Sequence, residues 1–531
     1  MSAGVRPGQA GGAGQGPPPE LASRTIFEES RPGRMAVSLP EPGVPSPGAE
    51  ALLPAWARRA VPPALPEVGE LQLVRHYTRL SQKNLGIDTT FYPLGSCTMK
   101  YNPRLNEQIA ALPGLADIHP YQDPDQVQGA LELFYELEQL LAQLTGLEAV
   151  SLQPAAGAHG ELTGLMCIRA WHVSRGEAAR RTRVLIPDSA HGTNPASVTL
   201  CGMEAVPVRT ADNGRVHLAD LERKLDERVA AFMITNPSTL GLFESELPAM
   251  AERLHAAGAL VYLDGANLNA MLGVIRPGDL GVDVMHVNLH KTLSTPHGGG
   301  GPGSGPIAVR SFLEPFLPVP RIVRGEDGRL RLETDRPQSI GRVKAFLGHA
   351  GMVWRAYAYL RAHSGRDLAG VAKHAVLNAN YIRVRLRDHY EVAYPGMCMH
   401  EVVLSARRQK RLGASALDIA KGLLDRGFHP PTIYFPLIVP EALMIEPTET
   451  ETRETLDRFC DAMIELAELA ARDPEQLRQA PRTLPVRRLD EVRAARQPVL
   501  RWRAEPAPAD RPPLAEGDAC AAASAGVPAT R

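Results

Sequence analysis

What most constrains this chain is a rhythm between residues 184 and 309, where short apolar runs alternate with amphipathic stretches of helix length. The runs VLI (184–186), AVPV (205–208), AFMI (231–234), ALVYL (259–263), VDVMHV (282–287) and PIAV (306–309) are too short for helices. They are apolar enough to be buried on both sides. Residues 218–226 and 247–257 carry apolar positions at helical spacing, and Gly258 stands where the second stretch would close in a left-handed conformation. The alternation predicts a mainly parallel sheet covered by helices on both faces. Sheets of this kind bind ligands beyond the carboxyl ends of their strands. Polar residues directly after the apolar runs are therefore the candidates for chemistry.

A chain of 531 residues exceeds one compact domain. Its texture divides it into a Gly/Ala/Pro-rich extension (1–22), an irregular arm with short helices (23–110), a large domain (111–350) opening with a helix at about 125–145, a smaller α+β domain (351–503) and a tail (504–531). The two ends read as disordered. In the smaller domain, helices are expected at 351–363, 366–388 and 415–426, with a strand-like EVVL at 401–404. Lys plus Arg number 58 and Asp plus Glu 59, for a net charge of −1, so no bulk field draws the chain to nucleic acid or a membrane surface. The six cysteines form no C-x-x-C pair, which favours a reducing compartment, and a buried inert thiol is the expectation for Cys97. With no bilayer-length apolar run, secretory signal or transit pattern, the expected location is the cytoplasm.

Five features follow apolar runs or open a helix. Lys291 comes just after the 282–287 run, with Asn288 and His290 beside it and a glycine-rich loop behind. Burial lowers a lysine's hold on its proton and makes it an amine nucleophile able to condense with an aldehyde. The glycines follow the lysine rather than precede it, so the segment is not a Walker A loop. Asp264, in DGAN, is placed to pair with a protonated pyridine nitrogen and keep its ring electron-poor. PAAGAHGELTG (154–164) begins a helix with small residues, a ready cradle for phosphate. His191, in DSAHGTNPAS (188–197), is suited to lie against an aromatic ring. Asn236, in TNPST (235–239), is suited to donate to a phenolic oxygen.

In this order the features resemble fold-type I pyridoxal-phosphate enzymes, the aspartate aminotransferase-like superfamily. Within it, GSCTMKYNP (95–103), AGAHGELTG (156–164), DSAHGTNPAS, NPSTLGLFE (236–244), DGAN, NLHKTLSTPHGGGGPGSGP (288–306), MIEPTETET (444–452) and IFEESRPGR (26–34) are similar to the glycine decarboxylase family, the P-proteins of the glycine cleavage system. The resemblance covers about 24–475 and matches the cofactor-bearing half of the family's single-chain form, which is subunit 2 of its two-chain form. It implies a large, mainly parallel α/β domain with a smaller α+β domain, and pyridoxal phosphate held by Lys291 as a Schiff base. It further implies His191 on the ring, Asp264 on its nitrogen, and Ala156, Gly157, Ala158, Ala266, Asn288 and His290 among the cofactor contacts, with Asn236 as above. Ser96 and Thr98 are candidate substrate contacts. The implied reaction decarboxylates glycine and passes the aminomethyl group to the lipoyl disulfide of H-protein, in an α2β2 assembly with subunit 1. No metal is implied. The rival readings are an amino-acid decarboxylase or aminotransferase of the same superfamily, a non-catalytic scaffold subunit, and a metal hydrolase built on His286 and His290. The last lacks the H-E-x-x-H pattern.

Overall fold

The computed structural model describes residues 24–61, 63–298, 302–484 and 486–501. The two low-complexity ends, and with them Cys520, lie outside the described residues. One compact unit runs to Thr483 and a second begins at Leu484.

The rhythm from 184 to 309 folds as expected. A seven-stranded sheet has the order β1-β7-β6-β5-β4-β2-β3. It is built from β1 (Ala149–Ser151), β2 (Arg183–Pro187), β3 (Glu204–Val208), β4 (Val229–Thr235), β5 (Leu260–Gly265), β6 (Val284–Val287) and β7 (Ile307–Val309). Strands β2 to β6 pair in parallel, and β7 alone runs against its neighbours β1 and β6. All seven residues of β4 and all six of β5 are buried. Their side chains alternate between two cores, as a period of two dictates. Phe232, Ile234, Val261 and Leu263 face the core shared with helices Gln128–Thr145, Leu247–Ala256 and Ala350–Ala362. Ala231, Met233, Leu260 and Tyr262 face the opposite core, under helix Gly157–Ser174.

A second sheet, all antiparallel, has the order β10-β11-β13-β12. Its strands are β10 (Glu391–Val392), β11 (Val402–Ser405), β12 (Thr432–Ile433) and β13 (Ala442–Ile445). Val402, Leu404, Leu443 and Ile445 meet helices Gly365–Leu386, Ala416–Leu424 and Arg453–Arg472, while Val403 and Met444 look the other way towards Leu240. Helix Ala350–Ala362 puts Val353, Trp354 and Tyr359 into the first core, on the large sheet.

Not anticipated from the sequence were β1, whose three residues give too little pattern, the strands β10, β12 and β13 beside the expected β11, and the hairpin β8 (Arg321–Arg324) with β9 (Leu330–Glu333). The turn of that hairpin contains Asp327-Gly328, a hairpin signal in its own right. Among the described residues no helix is long and apolar enough to cross a membrane. Cys97, Cys167, Cys201, Cys398 and Cys460 are unpaired thiols.

Candidate active site

The carboxyl ends of β4, β5 and β6 open on a cavity of about 160 Å³. Its wall includes Asp264 from the end of β5, Asn288, His290 and Lys291 from the turn after β6, and Gly157 and Ala158 from a helix N-terminus. A larger cavity of about 310 Å³ lies against helices Gln128–Thr145 and Ala350–Ala362, but it is mostly apolar and touches none of the predicted site residues.

Asp264 is fixed by four groups. Asn194 Nδ2 donates to Oδ2 at 3.0 Å, Thr235 Oγ1 to Oδ2 at 3.3 Å, and the Ala266 amide to Oδ1 at 2.9 Å. His286 Nε2 lies 3.2 Å from Oδ1. Burial alone would raise this carboxyl; the His286 ring, the Ala266 amide, Asn194 and the Lys291 charge outweigh it and hold the group below the usual carboxylate range. Behind His286 stands Tyr262, whose hydroxyl donates to the Gly160 carbonyl at 3.1 Å and lies 3.0 Å from His286 Nδ1. A buried carboxyl whose partners favour its ionised form thus faces the cavity.

At the other wall, helix Gly157–Ser174 begins after Ala156 with no side-chain cap, leaving its first N–H groups to an incoming anion. A Cβ on Gly157 would stand 2.5 Å from Asn288 Oδ1, so only glycine lets the helix start approach that amide. Asn288 Oδ1 is buried without a hydrogen-bond partner. His290 Nδ1 accepts from the Ser304 amide at 3.2 Å, which leaves Nε2 as its N–H donor. Burial, then the charges of His297 and Lys291, push this imidazole down to about 3, so it donates as a neutral ring.

Two lysines sit close by in contrasting states. Lys100 is buried and spends its ammonium on Asn269 Oδ1, the Thr292 carbonyl and Glu449 Oε1, each at 2.8 Å. Lys291 is half-buried and lines the cavity, and its side-chain amine makes no hydrogen bond or ion pair among the described residues. Lys100 ties the arm to the segment after Lys291, whereas the Lys291 amine has no such partners.

His191 lines the cavity from an exposed position, its Nδ1 2.9 Å from Thr193 Oγ1, which in turn donates to Glu161. Ser96 and Ala266 line it as well. Three predicted contacts stand elsewhere. Asn236 is buried and outside the cavity wall, with its amide turned to Glu244, donating to the carbonyl at 3.2 Å and accepting from the N–H at 2.9 Å. The Asn-Pro turn explains that residue, and Thr235 and Thr239 take the cavity wall instead. Thr98 gives its hydroxyl and amide to Glu446. Ala156 serves as the helix N-cap rather than as cavity wall. His286 and His290 have different ring partners, Asp264 and Tyr262 for the first and the Ser304 amide for the second. Asn194, Glu161 and Lys100 were given no role although each lies in one of the quoted strings, and His286 was named only for the rival metal reading.

Residues 371–482 match the model of the glycine dehydrogenase C-terminal domain, and residues 173–301 that of class-V aminotransferases. A probable glycine dehydrogenase (decarboxylating) subunit 2 from Exiguobacterium sibiricum is 57% identical over 90% of this chain and 97% of the relative. The chain belongs to the glycine dehydrogenase (decarboxylating) subunit 2 family. Other glycine dehydrogenase subunit 2 relatives include those of Bacillus velezensis, 57% identical over 90% of this chain and 97% of theirs, and Listeria innocua, 54% over 90% and 98%. In fold, the chain is similar to an inhibitor-bound crystal structure of glycine decarboxylase, the P-protein of the glycine cleavage system. That match has a TM-score of 0.66 and 23% identity, over 78% of this chain and 94% of that one. A cysteine desulfurase from Thermococcus onnurineus matches with a TM-score of 0.56 and 16% identity, over 72% and 95%. The chain thus has the α/β fold of the fold-type I pyridoxal-phosphate enzymes.

Proposed function

We propose that this chain is the pyridoxal-phosphate-bearing subunit of a glycine decarboxylase. The observation that carries the reading is the free amine of Lys291 in a cavity with an ionised buried acid on one wall and an uncapped helix N-terminus on the other. The wall suits pyridoxal phosphate in charge and shape: an orphaned amide oxygen at Asn288, a helix start that tolerates only glycine at 157, and the Asp264 carboxylate. When bound, the cofactor supplies an electron sink for the pair released as a Cα–carboxylate bond breaks.

The chain's own residues do the rest. Lys291 would hold the cofactor through its aldehyde. Asp264, locked by His286 and Asn194, keeps a proton on the ring nitrogen. The amides of Gly157 and Ala158, with the His290 Nε2–H, receive the phosphate. His191 lies against the ring. The substrates are glycine and the lipoyl disulfide of H-protein, which takes up the aminomethyl group. The partner is subunit 1, in an α2β2 assembly, and the location is the cytoplasm. The domain division at 110, 350 and 503 belongs to this reading.

The purified protein should show the visible absorption of a lysine-bound cofactor, and Lys291→Ala should abolish it. With subunit 1 and lipoylated H-protein, the wild type should exchange labelled bicarbonate into the carboxyl of glycine. A colourless wild type after incubation with the cofactor, or no exchange in the reconstituted system, sinks the proposal.

A further inference from the structure

Beside the cavity lies a second group of buried acids that the mechanism above leaves unused. Glu401 and Glu446 are each 0% exposed, one at the start of β11 and the other just past β13. His400 joins them, also 0% exposed, and the ligand atoms of the three lie within 4.8 Å of one another. Their partners are unequal. Glu446 accepts the Thr98 amide at 2.8 Å and the Thr98 hydroxyl at 2.6 Å. Glu401 accepts only the Ser96 amide, at 2.9 Å on Oε2, and its Oε1 has no hydrogen-bond partner. His400 Nε2 is 3.8 Å from that Oε1, and both ring nitrogens of His400 are unpartnered.

The backbone is bent to make this arrangement. Ser96 and Thr98 have φ of 65° and 49°, a left-handed conformation that a β-branched residue rarely adopts. The turn is pressed onto β13 so closely that a Cβ on Gly95 would stand 2.7 Å from the Met444 carbonyl oxygen. Strain of about 1–3 kcal/mol per residue persists where surrounding structure over-determines it. Here it aims two amides at two carboxyl groups. Ser96 also lines the cavity that holds Lys291, so the turn joins the acids to the reaction space.

Burial pushes Glu401 well above the ordinary carboxyl range, and the Glu446 charge pushes further; the Ser96 amide and Lys291 oppose. Burial raises Glu446 too, against the two Thr98 bonds, Lys291 and Lys100. The other titratable groups bearing on the pair are Cys97, His297, Cys398 and His400. Two neighbouring buried acids share a proton rather than both ionise.

The proposed reaction consumes a proton. The Cα–carboxylate bond of glycine breaks and CO2 leaves. The electron pair forms a Cα–S bond to one sulfur of the disulfide. The S–S bond breaks, and the second sulfur departs as a thiolate that must be protonated. The glycine carbon is oxidised and the disulfide reduced, with no further reagent.

We propose that Glu401 and Glu446 hold one proton between them, Glu401 as the acid and Glu446 as the carboxylate, and deliver it by way of the Ser96 turn to the departing sulfur. This rests on the functional reading above. The pair then recovers its proton from solvent.

The test uses Glu401→Gln and Glu446→Gln in two settings. In the cofactor-free protein, infrared difference spectra against pH should show a protonated-carboxyl stretch that persists above pH 7 in the wild type, is missing from Glu401→Gln, and is retained but shifted to lower pH in Glu446→Gln, which still holds the buried Glu401. In the assembly with subunit 1 and lipoylated H-protein, CO2 release should fall about 10²-fold or more in the variants. The loss of rate at high pH seen in the wild type should vanish from what remains. Cofactor absorbance and its response to glycine should change less than about twofold. A wild type without the carboxyl stretch overturns the proposal whether or not the variants fold, as do variants within threefold of wild-type CO2 release at every pH. A chelator that abolishes activity places a cation between these acids and overturns it too. A wild type that releases no CO2 fails the functional reading itself.

Discussion

Asp264 and Glu401 are both buried acids beside one cavity, and they differ in how their oxygens are partnered. Asp264 has an amide, an asparagine, a threonine and an imidazole converging on it. Glu401 has one amide and an orphaned oxygen. In a low dielectric each unmade hydrogen bond is costly, so a saturated network holds one charge state and an unsaturated one admits a change of protonation. The large sheet thus supplies a fixed charge, the small sheet an exchangeable one. Burial by itself does not tell which a carboxyl will be.

The sharpest way to break this contrast is Asp264→Asn, which keeps the shape and removes the charge. Glycine decarboxylation should fall by about 10³-fold, as for loss of a preorganised electrostatic partner, with weakened cofactor retention on gel filtration. A loss of tenfold or less would mean that the saturated network is structural only.

His400→Gln gives a smaller effect, read in stability. Burial first, and the Lys291 charge second, push this ring from 6.5 down to about 3. The folded state holds it neutral, whereas the unfolded chain protonates it near 6.5. Its contribution is therefore complete above that pH and is lost as the pH falls towards 3. Between pH 6.5 and 5 the wild type should lose about 2 kcal/mol that the variant keeps. The carboxyl pair acts with the opposite sign in both proteins, and because His400 Nε2 lies 3.8 Å from Glu401 Oε1 the difference also carries the pair's response to losing the ring. Parallel denaturant midpoints for the two proteins over this range would contradict it.

Tyr262→Phe tests the outermost layer of the saturated network. Losing the hydroxyl should cost about 1 kcal/mol of stability, since it removes the bond to the Gly160 carbonyl and the contact with His286. Chemical denaturation would resolve it, and the cofactor absorbance should stay in place.

Much of the first site was readable in the sequence because it lies at strand ends. Asp264, Asn288, His290 and Lys291 each follow an apolar run by one to four residues, and a parallel sheet brings such positions together. Asn236 had the same signature and a different fate, because the loop it begins needed its amide for Glu244. His286 was set aside as a strand residue; it is one, and its pleat points it at Asp264 from the adjacent strand. MIEPTETET was a conspicuous string without an assigned chemistry, and in GSCTMKYNP only Ser96 and Thr98 were given one, as substrate contacts; that the two strings meet was not legible, since Ser96 and Thr98 have partners over 300 residues away in the chain.

The sequence alone therefore determined the alternation of elements, the two-faced burial of the sheet and the edge at which the lysine and aspartate meet. Those follow from local periodicity and from the geometry common to parallel sheets. Only the tertiary structure decided which acid is saturated and which is not, that Lys100 is spent while Lys291 is free, and that a strained turn of the arm reaches the acids of the small sheet. Such facts depend on which atoms lie within about 3 Å of one another across long stretches of chain, and no local pattern records that distance.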